Sequence, residues 1–285
     1  MAGEKMEHQT FSKHGLEKAV RKSDFLNVSK EDQEAYREKL ILGSMLAAKT
    51  RFSAPSNPLS LFRLNGNLVF KLDKHSDRIV ERRLTANLRR ACGIRAASRS
   101  AVIENLKIFL KEGVPFRIYR LDIRKFYESF PKEAIKEKID SVSRLSSPSK
   151  SLIKAILDKH SQIGGNGTPR GLAISSVITE LMMRDFDRQI HNNINTFFYS
   201  RYVDDIIVIT SSDEDSKEFI AGIKKNLPQG LTLNPSKLTV SPKVAPLFTV
   251  QVVAPKVVVA SFEYLGYKLT ISNPYKMRST RTIEL

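Results

Sequence analysis

The chain has 285 residues, 41% of them hydrophobic, and 47 Lys and Arg against 30 Asp and Glu give a formal net charge of +17. This composition predicts a globular protein with a sizeable core that attracts polyanions, nucleic acid first among them. A single cysteine, Cys92, and scattered histidines exclude a disulfide framework and a thiolate zinc site. No apolar leader or unbroken apolar span stands in the sequence, so we expect a cytoplasmic protein without membrane contact.

Residues 11 to about 49 are charged and follow a helical pattern, with Ser29 and Asp32 spaced as in a capping box. Asn65-Gly66 then stands between two apolar-rich runs, which predicts a β-hairpin. The stretch 77–99 predicts a helix that carries seven arginines. These arginines form either a solvated basic face or part of a nucleic-acid surface.

The stretch "VPFRIYRLDI" alternates like a strand that ends at Asp122, and Pro131 opens a helix soon afterwards. "SPSKSLIKAILDKH" predicts another helix, and the segment after Pro169 has the apolar spacing of a helix that faces a core. "FFYSRYVDDIIVIT" then predicts a hairpin, with Asp204 and Asp205 at or near its turn.

After this hairpin, "SKEFIAGIKKNL" predicts a helix, "GLTLNPSKLTV" a strand, and the tail one or two further strands. The order of strand, helix, hairpin, helix and strand is typical of an α+β fold. In such a fold the helices pack on one face of an antiparallel sheet.

The adjacent aspartates of the hairpin have two interpretations. An isolated Asp-Asp pair most often forms a solvated turn. Here, however, the hairpin places Asp204 and Asp205 at one end of the sheet, where the strand that ends in Asp122 brings a third carboxylate. Carboxylates without histidine or thiolate select Mg²⁺ or Mn²⁺, and two such ions can serve phosphoryl transfer.

Five stretches resemble, in chain order, the motifs of the reverse transcriptases. "YRLDIRKFYESF", "GTPRGLAISSVI" and "YVDD" resemble motifs A, B and C, "GLTLNPSKLTV" resembles motif D, and "FEYLGYKL" resembles the primer grip of motif E. Each is weak alone, but together, at family-like spacing over 117–269, they are specific. "LDIRKFYESF" and the charged leader are most similar to bacterial reverse transcriptases of the retron and phage-defence groups.

The resemblance implies the fingers and palm of a right-hand polymerase. We expect a helical extension over 1–49, basic fingers over 50–116, and a palm over 117–270 in which the segment between motifs A and B belongs partly to the fingers. Residues 271–285 would begin the connection to a helical thumb that the sequence does not contain. Either the natural chain is longer, or a protein partner or structured non-coding RNA supplies the function of the thumb.

The activity implied is that of an RNA-directed DNA polymerase, which extends a DNA or RNA primer on an RNA template with deoxyribonucleoside triphosphates. A role in bacterial defence against phage follows from the subgroup. Two other hypotheses remain. One is a template-independent or protein-primed polymerase, or an RNA-dependent RNA polymerase, of the same fold. The other is a non-catalytic RNA-binding scaffold, against which the presence of all three acids argues.

By motif, Asp122 and Asp204 would be the principal metal ligands and Asp205 the third acid. Tyr127 matches the aromatic residue that excludes a ribose 2′-hydroxyl. A core tyrosine is the alternative, although the adjacent Phe126 can fill the core. The remaining motif C candidate, Tyr202, resembles the tyrosine that packs against the primer end.

Motif B supplies Gly171, which would let the backbone approach the nucleotide, and Arg170, which stands where the family usually has Gln. The fork of Arg170 would supplement the triphosphate contacts. Lys237 matches the motif D lysine that gives a proton to pyrophosphate, with a surface lysine as the alternative. Further candidates for triphosphate and template contacts are Lys71, Arg78, Arg82 and Arg99. The candidates for the primer grip are Phe262, Leu265, Gly266 and Tyr267. The alternative for these four is that they are ordinary residues of a buried strand.

Overall fold

The computed structural model describes residues 9–53, 56–95, 98–111, 114–244, 257–273 and 282–284. Its helices are α1 Lys13–Glu17, α2 Gln33–Lys49, α3 His75–Cys92, α4 Arg99–Leu110, α5 Lys132–Asp140, α6 Ser147–Gln162, α7 Ala173–His191 and α8 Ser216–Asn226. Its strands are β1 Leu59–Leu64, β2 Asn67–Leu72, β3 Arg117–Asp122, β4 Thr196–Tyr202, β5 Asp205–Thr210, β6 Thr239–Val240, β7 Val257–Tyr264, β8 Tyr267–Asn273 and β9 Thr282–Glu284. Within these ranges no helix is long and apolar enough to cross a bilayer.

The chain forms two compact units. Unit 1 comprises Met1–Arg95 and Tyr127–Met182, and unit 2 comprises Ala96–Phe126 and Met183–Leu285. Both units are therefore built from two separate stretches of sequence. The predicted boundaries of fingers and palm at 50, 117 and 270 do not coincide with this division and stay predictions.

Unit 1 contains the predicted β1–β2 hairpin. Asn65 and Gly66 form its turn with φ of 49° and 77°, the left-handed pair of a type I′ turn, and the register runs from Leu59 opposite Leu72 to Leu64 opposite Asn67. The hairpin prediction is therefore confirmed. A type I′ turn matches the twist of the strands it joins, which explains the strength of the Asn-Gly signal.

One helix prediction in unit 1 is wrong in extent, and another agrees with the structure. Residues 9–49 follow the predicted helical pattern and form α1, a 3₁₀ turn and α2, and the Ser29 hydroxyl and the Asp32 carboxylate, 2.6 Å apart, close a turn just before α2 begins. The predicted helix over 77–99 ends at Cys92. Gly93 adopts φ of 63°, and its N–H donates to the carbonyl of Arg90, as in a left-handed C-cap.

Unit 2 is organised around a four-stranded antiparallel sheet with the order β4-β5-β3-β6. The central strand β5 is buried from Ile206 to Thr210, and α4 packs on the sheet through Ile103, Leu106 and Leu110. Among the described residues this arrangement confirms the predicted α+β class with an antiparallel sheet.

The region after α8 differs from the prediction. In "GLTLNPSKLTV" only Thr239–Val240 forms a strand, because Asn234 caps a 3₁₀ turn over Pro235–Lys237. Beyond it, β7, β8 and β9 form a second antiparallel sheet, so the tail has three strands rather than one or two. Residues 245–256, 274–281 and 285 lie outside the described part of the chain.

Candidate active site

Three aspartates of unit 2 meet at one end of the four-stranded sheet, and we call them the acid edge: Asp122, Asp204 and Asp205. Asp122 is the last residue of β3 and lies opposite Asp205, the first residue of β5, in the antiparallel register. Asp204 lies in the β4–β5 turn, and its carbonyl accepts a hydrogen bond of 3.2 Å from the N–H of Ile123. The predicted meeting of the three acids is therefore what the backbone produces.

The turn that carries the acids has an unfavourable backbone conformation. Val203 has φ of 60°, in the left-handed region, where a β-branched residue is a genuine outlier. Such a residue costs about 1–3 kcal/mol and persists only where its surroundings fix it. Here the Nη1 of Arg201 donates to the carbonyl of Val203 at 2.9 Å.

Arg201 is itself anchored in the interior. Its side chain is 3% exposed, and its Nε and Nη2 donate to the two oxygens of Asp187 at 2.9 and 2.8 Å. The Tyr199 hydroxyl donates to the same carboxylate at 2.6 Å. The sequence analysis missed Arg201 and Asp187, although an arginine in an apolar strand two residues before a turn is a usable signal.

Negative charge is crowded at the acid edge. Burial raises the pKa of Asp204, and the charges of Asp205 and Asp122 raise it further. Burial and the charge of Asp122 likewise raise the pKa of Asp205, while Lys237, Arg120 and Arg99 oppose this. An added cation would therefore stabilise the ionised carboxylates of the acid edge.

Lys237 supplies part of that positive charge. Its Nζ donates to Oδ2 of Asp122 at 2.8 Å, and this hydrogen bond raises the pKa of Lys237. The side-chain amide of Asn234 donates to the other oxygen, Oδ1, at 3.0 Å, and the N–H of Asn234 donates to the carbonyl of Asp122 at 2.8 Å. Lys237 thus contacts one of the three acids, and its role as a proton donor stays a prediction. Asn234 is a contact the sequence analysis missed.

The donors of the acid edge fit a hard cation in kind, since carboxylate oxygens are the ligands that Mg²⁺ prefers. In the part of the chain that the structure describes, no group of three or more His, Cys, Asp or Glu side chains is spaced to hold a metal ion. Both oxygens of Asp122 instead engage Lys237 and Asn234. The oxygen donors that a metal site needs are thus present, but both carboxylate oxygens of Asp122 accept hydrogen bonds from the protein.

Arg99 and Tyr202 lie beside the acid edge in unit 2. The guanidinium carbon of Arg99 is 5.2 Å from the centre of the Tyr202 ring, and Tyr202 pairs with Asp205 across the β4–β5 ladder. The charge of Arg99 opposes the rise in the pKa of Asp205 that burial and Asp122 cause. Of the four basic candidates assigned to the fingers, Arg99 is thus the one in the same unit as the acids.

The other three basic candidates lie in unit 1. The ammonium group of Lys71 is exposed and lies 3.9 Å from Asp73. Arg78 donates to two backbone carbonyls at the end of β2, at 2.7 and 3.1 Å. Arg82 forms an ion pair with the buried Asp24. These contacts give Arg78 and Arg82 structural roles, and their contact with a triphosphate stays a prediction.

Motif B packs against the β1–β2 hairpin within unit 1. Gly171 has φ of 106°, and a Cβ there would lie 2.5 Å from the carbonyl oxygen of Phe70. The N–H of Phe70 donates to the carbonyl of Arg170 at 2.7 Å. The close approach that requires glycine in this structure is thus to β2, and the approach of a nucleotide stays a prediction.

Arg170 contacts two consecutive residues of motif A. Its Nε and Nη2 donate to the two carboxylate oxygens of Glu128 at 2.8 and 3.1 Å, and its guanidinium carbon lies 4.9 Å from the centre of the Tyr127 ring. Phe126 is 1% exposed and fills the core, whereas Tyr127 is only partly buried. Glu128 is a further residue that the sequence analysis missed.

The predicted primer grip is a hairpin rather than a single buried strand. Leu265 and Gly266 form the turn between β7 and β8, with φ of 51° and 83°. Phe262 and Leu265 pack on the core of unit 2, and Tyr267 is 38% exposed. The Tyr264 hydroxyl donates to the carbonyl of Asp205 at 3.4 Å, and burial raises its pKa. The hairpin is thus tied to the acid edge.

An antiparallel sheet that presents aspartates at one end, from a hairpin turn and from the neighbouring strand, is typical of the palm of a nucleic-acid polymerase. The chain belongs to the reverse transcriptase family, because the model of the family "Reverse transcriptase (RNA-dependent DNA polymerase)" matches residues 68–269. This match contains the acid edge and all five motifs. Members of the family generally use divalent metal ions.

No curated protein matches the chain. Among solved structures, the telomerase of Candida albicans, in complex with the TWJ fragment of telomeric RNA, is similar with a TM-score of 0.46 and 13% sequence identity. The similarity covers 75% of this chain and 43% of the telomerase chain. The chain thus spans less than half the length of that protein.

Proposed function

We propose that this chain is an RNA-directed DNA polymerase that joins deoxyribonucleoside triphosphates to a primer and acts at the acid edge. The observation that carries the proposal is the antiparallel register, which sets Asp122 opposite Asp205 and beside Asp204. Three carboxylates are crowded there at the cost of raised pKa values for Asp204 and Asp205. Such crowding is expected where function, rather than stability, selects the residues.

In the proposed reaction, the primer 3′-hydroxyl gives its proton to water and its oxygen forms a bond to the α-phosphorus, while the bond from that phosphorus to the pyrophosphate oxygen breaks. Asp122, Asp204 and Asp205 would hold Mg²⁺ or Mn²⁺, which when bound supplies charge neutralisation and lowers the pKa of the attacking hydroxyl. The Nζ of Lys237 would give its proton to the departing pyrophosphate. Catalysis then depends mainly on position and on electrostatic stabilisation.

Choice of the sugar is assigned to Tyr127, which follows Asp122 by five residues. Its ring would collide with a ribose 2′-hydroxyl, so that deoxyribonucleotides are preferred. The surroundings of this residue support the assignment, because Phe126 fills the core and leaves Tyr127 partly exposed.

The test is extension of a primer on an RNA template in the presence of Mg²⁺, with deoxyribonucleotides compared with ribonucleotides. The Asp204→Asn protein is the blank, and Asp213→Asn is the matched control, since Asp213 is an exposed aspartate paired with Lys243 on the surface of unit 2. Template-dependent DNA that appears with the control but not with the blank supports the proposal. Extension without a template would favour a template-independent polymerase. Nucleic-acid binding without any product would favour a scaffold.

A role in bacterial defence against phage is the finer proposal. Its support is the resemblance of "LDIRKFYESF" and the charged leader to the defence group. Bacteria that express the chain with its natural neighbouring genes should resist phage, and the Asp204→Asn version should not. Equal resistance in both would separate the biological role from the chemistry of the acid edge.

A further inference from the structure

Motifs A and B are joined in unit 1 by a small charged cluster, which we call the gate cluster: Tyr127, Glu128 and Arg170. Arg170 spans it, with a two-point ion pair to Glu128 and its guanidinium over the Tyr127 ring at 4.9 Å. The side chains of Arg170 and Glu128 are 28% and 31% exposed, so neither is a fully solvated surface group. Because the planar guanidinium is held at two points, its orientation is fixed, and the Tyr127 ring packs against it in that orientation.

The backbone of Tyr127 is already fixed by motif B. Its carbonyl accepts from the N–H of Thr168 at 2.8 Å and from the Thr168 hydroxyl at 3.2 Å. A Cβ on Gly167 would lie 2.2 Å from the same carbonyl oxygen, so the two chain segments pass as closely as their backbones permit. The contact with Arg170 restricts the rotation of the Tyr127 side chain.

We infer that Arg170 is a positioning residue for sugar selection. It holds the Tyr127 ring in the orientation that excludes a 2′-hydroxyl, and Glu128 orients Arg170. The inference rests on the proposed function, in which Tyr127 selects the sugar. A glutamine at this position would offer neither a cation for the ring nor a two-point pair with a carboxylate.

The competing role for Arg170 is direct contact with the triphosphate, and the two roles predict different kinetics. Deoxyribonucleotides and ribonucleotides carry the same triphosphate. A lost phosphate contact therefore lowers kcat/KM for both substrates and leaves their ratio unchanged, whereas a loosened ring changes the ratio. Substitution of Glu128 also distinguishes the two roles. Removing its negative charge does not weaken phosphate binding, but it does release Arg170 from its ion pair.

The experiment measures kcat/KM for single incorporation of dTTP and UTP by the full chain. In Arg170→Gln and Glu128→Gln we expect the preference for dTTP to fall about tenfold, the size of one lost cation–π contact. In Tyr127→Ala the preference should fall further, and adding Arg170→Gln to Tyr127→Ala should change it no more. The control is Arg188→Gln, which removes an exposed arginine paired with Asp185.

Three results would overturn the inference. An unchanged ratio in Arg170→Gln, with both substrates equally impaired, would assign Arg170 to the phosphates. An unchanged ratio in Glu128→Gln would remove Glu128 from the cluster's function. Full additivity of Tyr127→Ala and Arg170→Gln would show that the two residues act separately.

A second measurement does not depend on activity. Fluorotyrosine incorporated at Tyr127 gives a ¹⁹F resonance that reports the surroundings of the ring. We expect this resonance to shift and broaden in Arg170→Gln and in Glu128→Gln but not in Arg188→Gln, and an unchanged resonance would overturn the inference. A chain that shows these shifts yet makes no DNA would contradict the proposed function while the positioning contact stands.

Discussion

The acid edge of unit 2 and the gate cluster of unit 1 are both groups of charged side chains, but their charges are balanced differently. In the gate cluster one carboxylate meets one guanidinium at two points, and the aromatic ring covers the cation. At the acid edge three carboxylates share the ammonium of Lys237, with Arg99 and Arg120 acting from a distance. The charges of the gate cluster therefore balance one another, whereas the acid edge has an excess of negative charge.

This difference separates two tasks. A cluster whose charges are paired is rigid and can present a fixed surface, which suits selection of a substrate. A cluster with excess negative charge gains free energy when a cation arrives, which suits binding of metal ions and of the groups that accompany them. The following predictions test whether the two regions differ in this way.

The largest effect is expected for Asp204→Asn. Incorporation of nucleotides should fall about 10³-fold, a loss of about 4 kcal/mol of transition-state stabilisation. The free energy of unfolding without metal at pH 7 should rise instead, because the pKa of Asp204 is raised and its ionised form is therefore disfavoured in the folded state. Primer extension and chemical denaturation in the presence of a chelator measure the two effects. A large loss of stability would contradict the description of the acid edge as crowded.

Arg201→Met should have the next largest effect, on stability. The change leaves Asp187 without its two-point partner and removes the donor to the Val203 carbonyl, so the free energy of unfolding should fall by about 3 kcal/mol. Arg188→Met is the control, because an exposed pair contributes about 0.5 kcal/mol or less. Denaturant titration of both variants measures these changes in the free energy of unfolding. Equal losses of stability in the two variants would mean that the Arg201 network does not support the turn.

His160 provides a test of the packing inside unit 1. The residue is 1% exposed, its ring meets the Phe70 ring edge-on at 4.3 Å, and burial lowers its pKa to about 4. Since the unfolded chain takes up the proton first as pH falls, the stability due to neutral His160 is complete above pH 6.5. About 3 kcal/mol of it should be lost as pH falls towards 4.

Measurement of the free energy of unfolding between pH 4 and 7.5 checks this prediction. The His160→Gln variant should lose this part of the pH dependence, whereas His191→Gln, at an exposed histidine, should keep it. An unchanged slope in His160→Gln would show that the imidazole is not held neutral in the folded protein.

The smallest effect is expected for Lys237→Met. Loss of the proton donor should lower the maximal rate of incorporation about 10²-fold, the lower end for general acid catalysis. The Mg²⁺ concentration for half-maximal activity should fall, because Lys237 no longer competes for the oxygen of Asp122 that it occupies in the structure. Lys243→Met, at a surface lysine paired with Asp213, is the control. A higher requirement for Mg²⁺ would contradict the competition.

The features predicted correctly from the sequence depend on local signals. The Asn65-Gly66 turn, the end of β3 at Asp122 and the hairpin around Asp204 all follow from periodicity and turn preferences within a few residues. Once two strands and a turn are placed, antiparallel pairing brings the acids together. The acid edge could therefore be predicted before any contact was known.

The features that were missed depend on contacts between distant parts of the sequence. The pair of Glu128 and Arg170 joins residues 42 positions apart, and Gly171 requires its conformation because Phe70 approaches it. No periodicity specifies which side chains meet across such distances. The end of α3 is a different case, because Gly93 is a C-cap signal that could have been read from the sequence.

Val203 has a consequence for how this protein would respond to selection. A valine with φ of 60° stores strain next to the acids, and glycine or asparagine would adopt that conformation at lower cost. A library at this position that is screened for heat resistance should therefore enrich these two residues. A screen for DNA synthesis should retain stiffer side chains that limit the movement of the turn. The two screens would therefore select different residues at position 203. The valine found there would indicate that the natural chain was selected for DNA synthesis rather than for heat resistance.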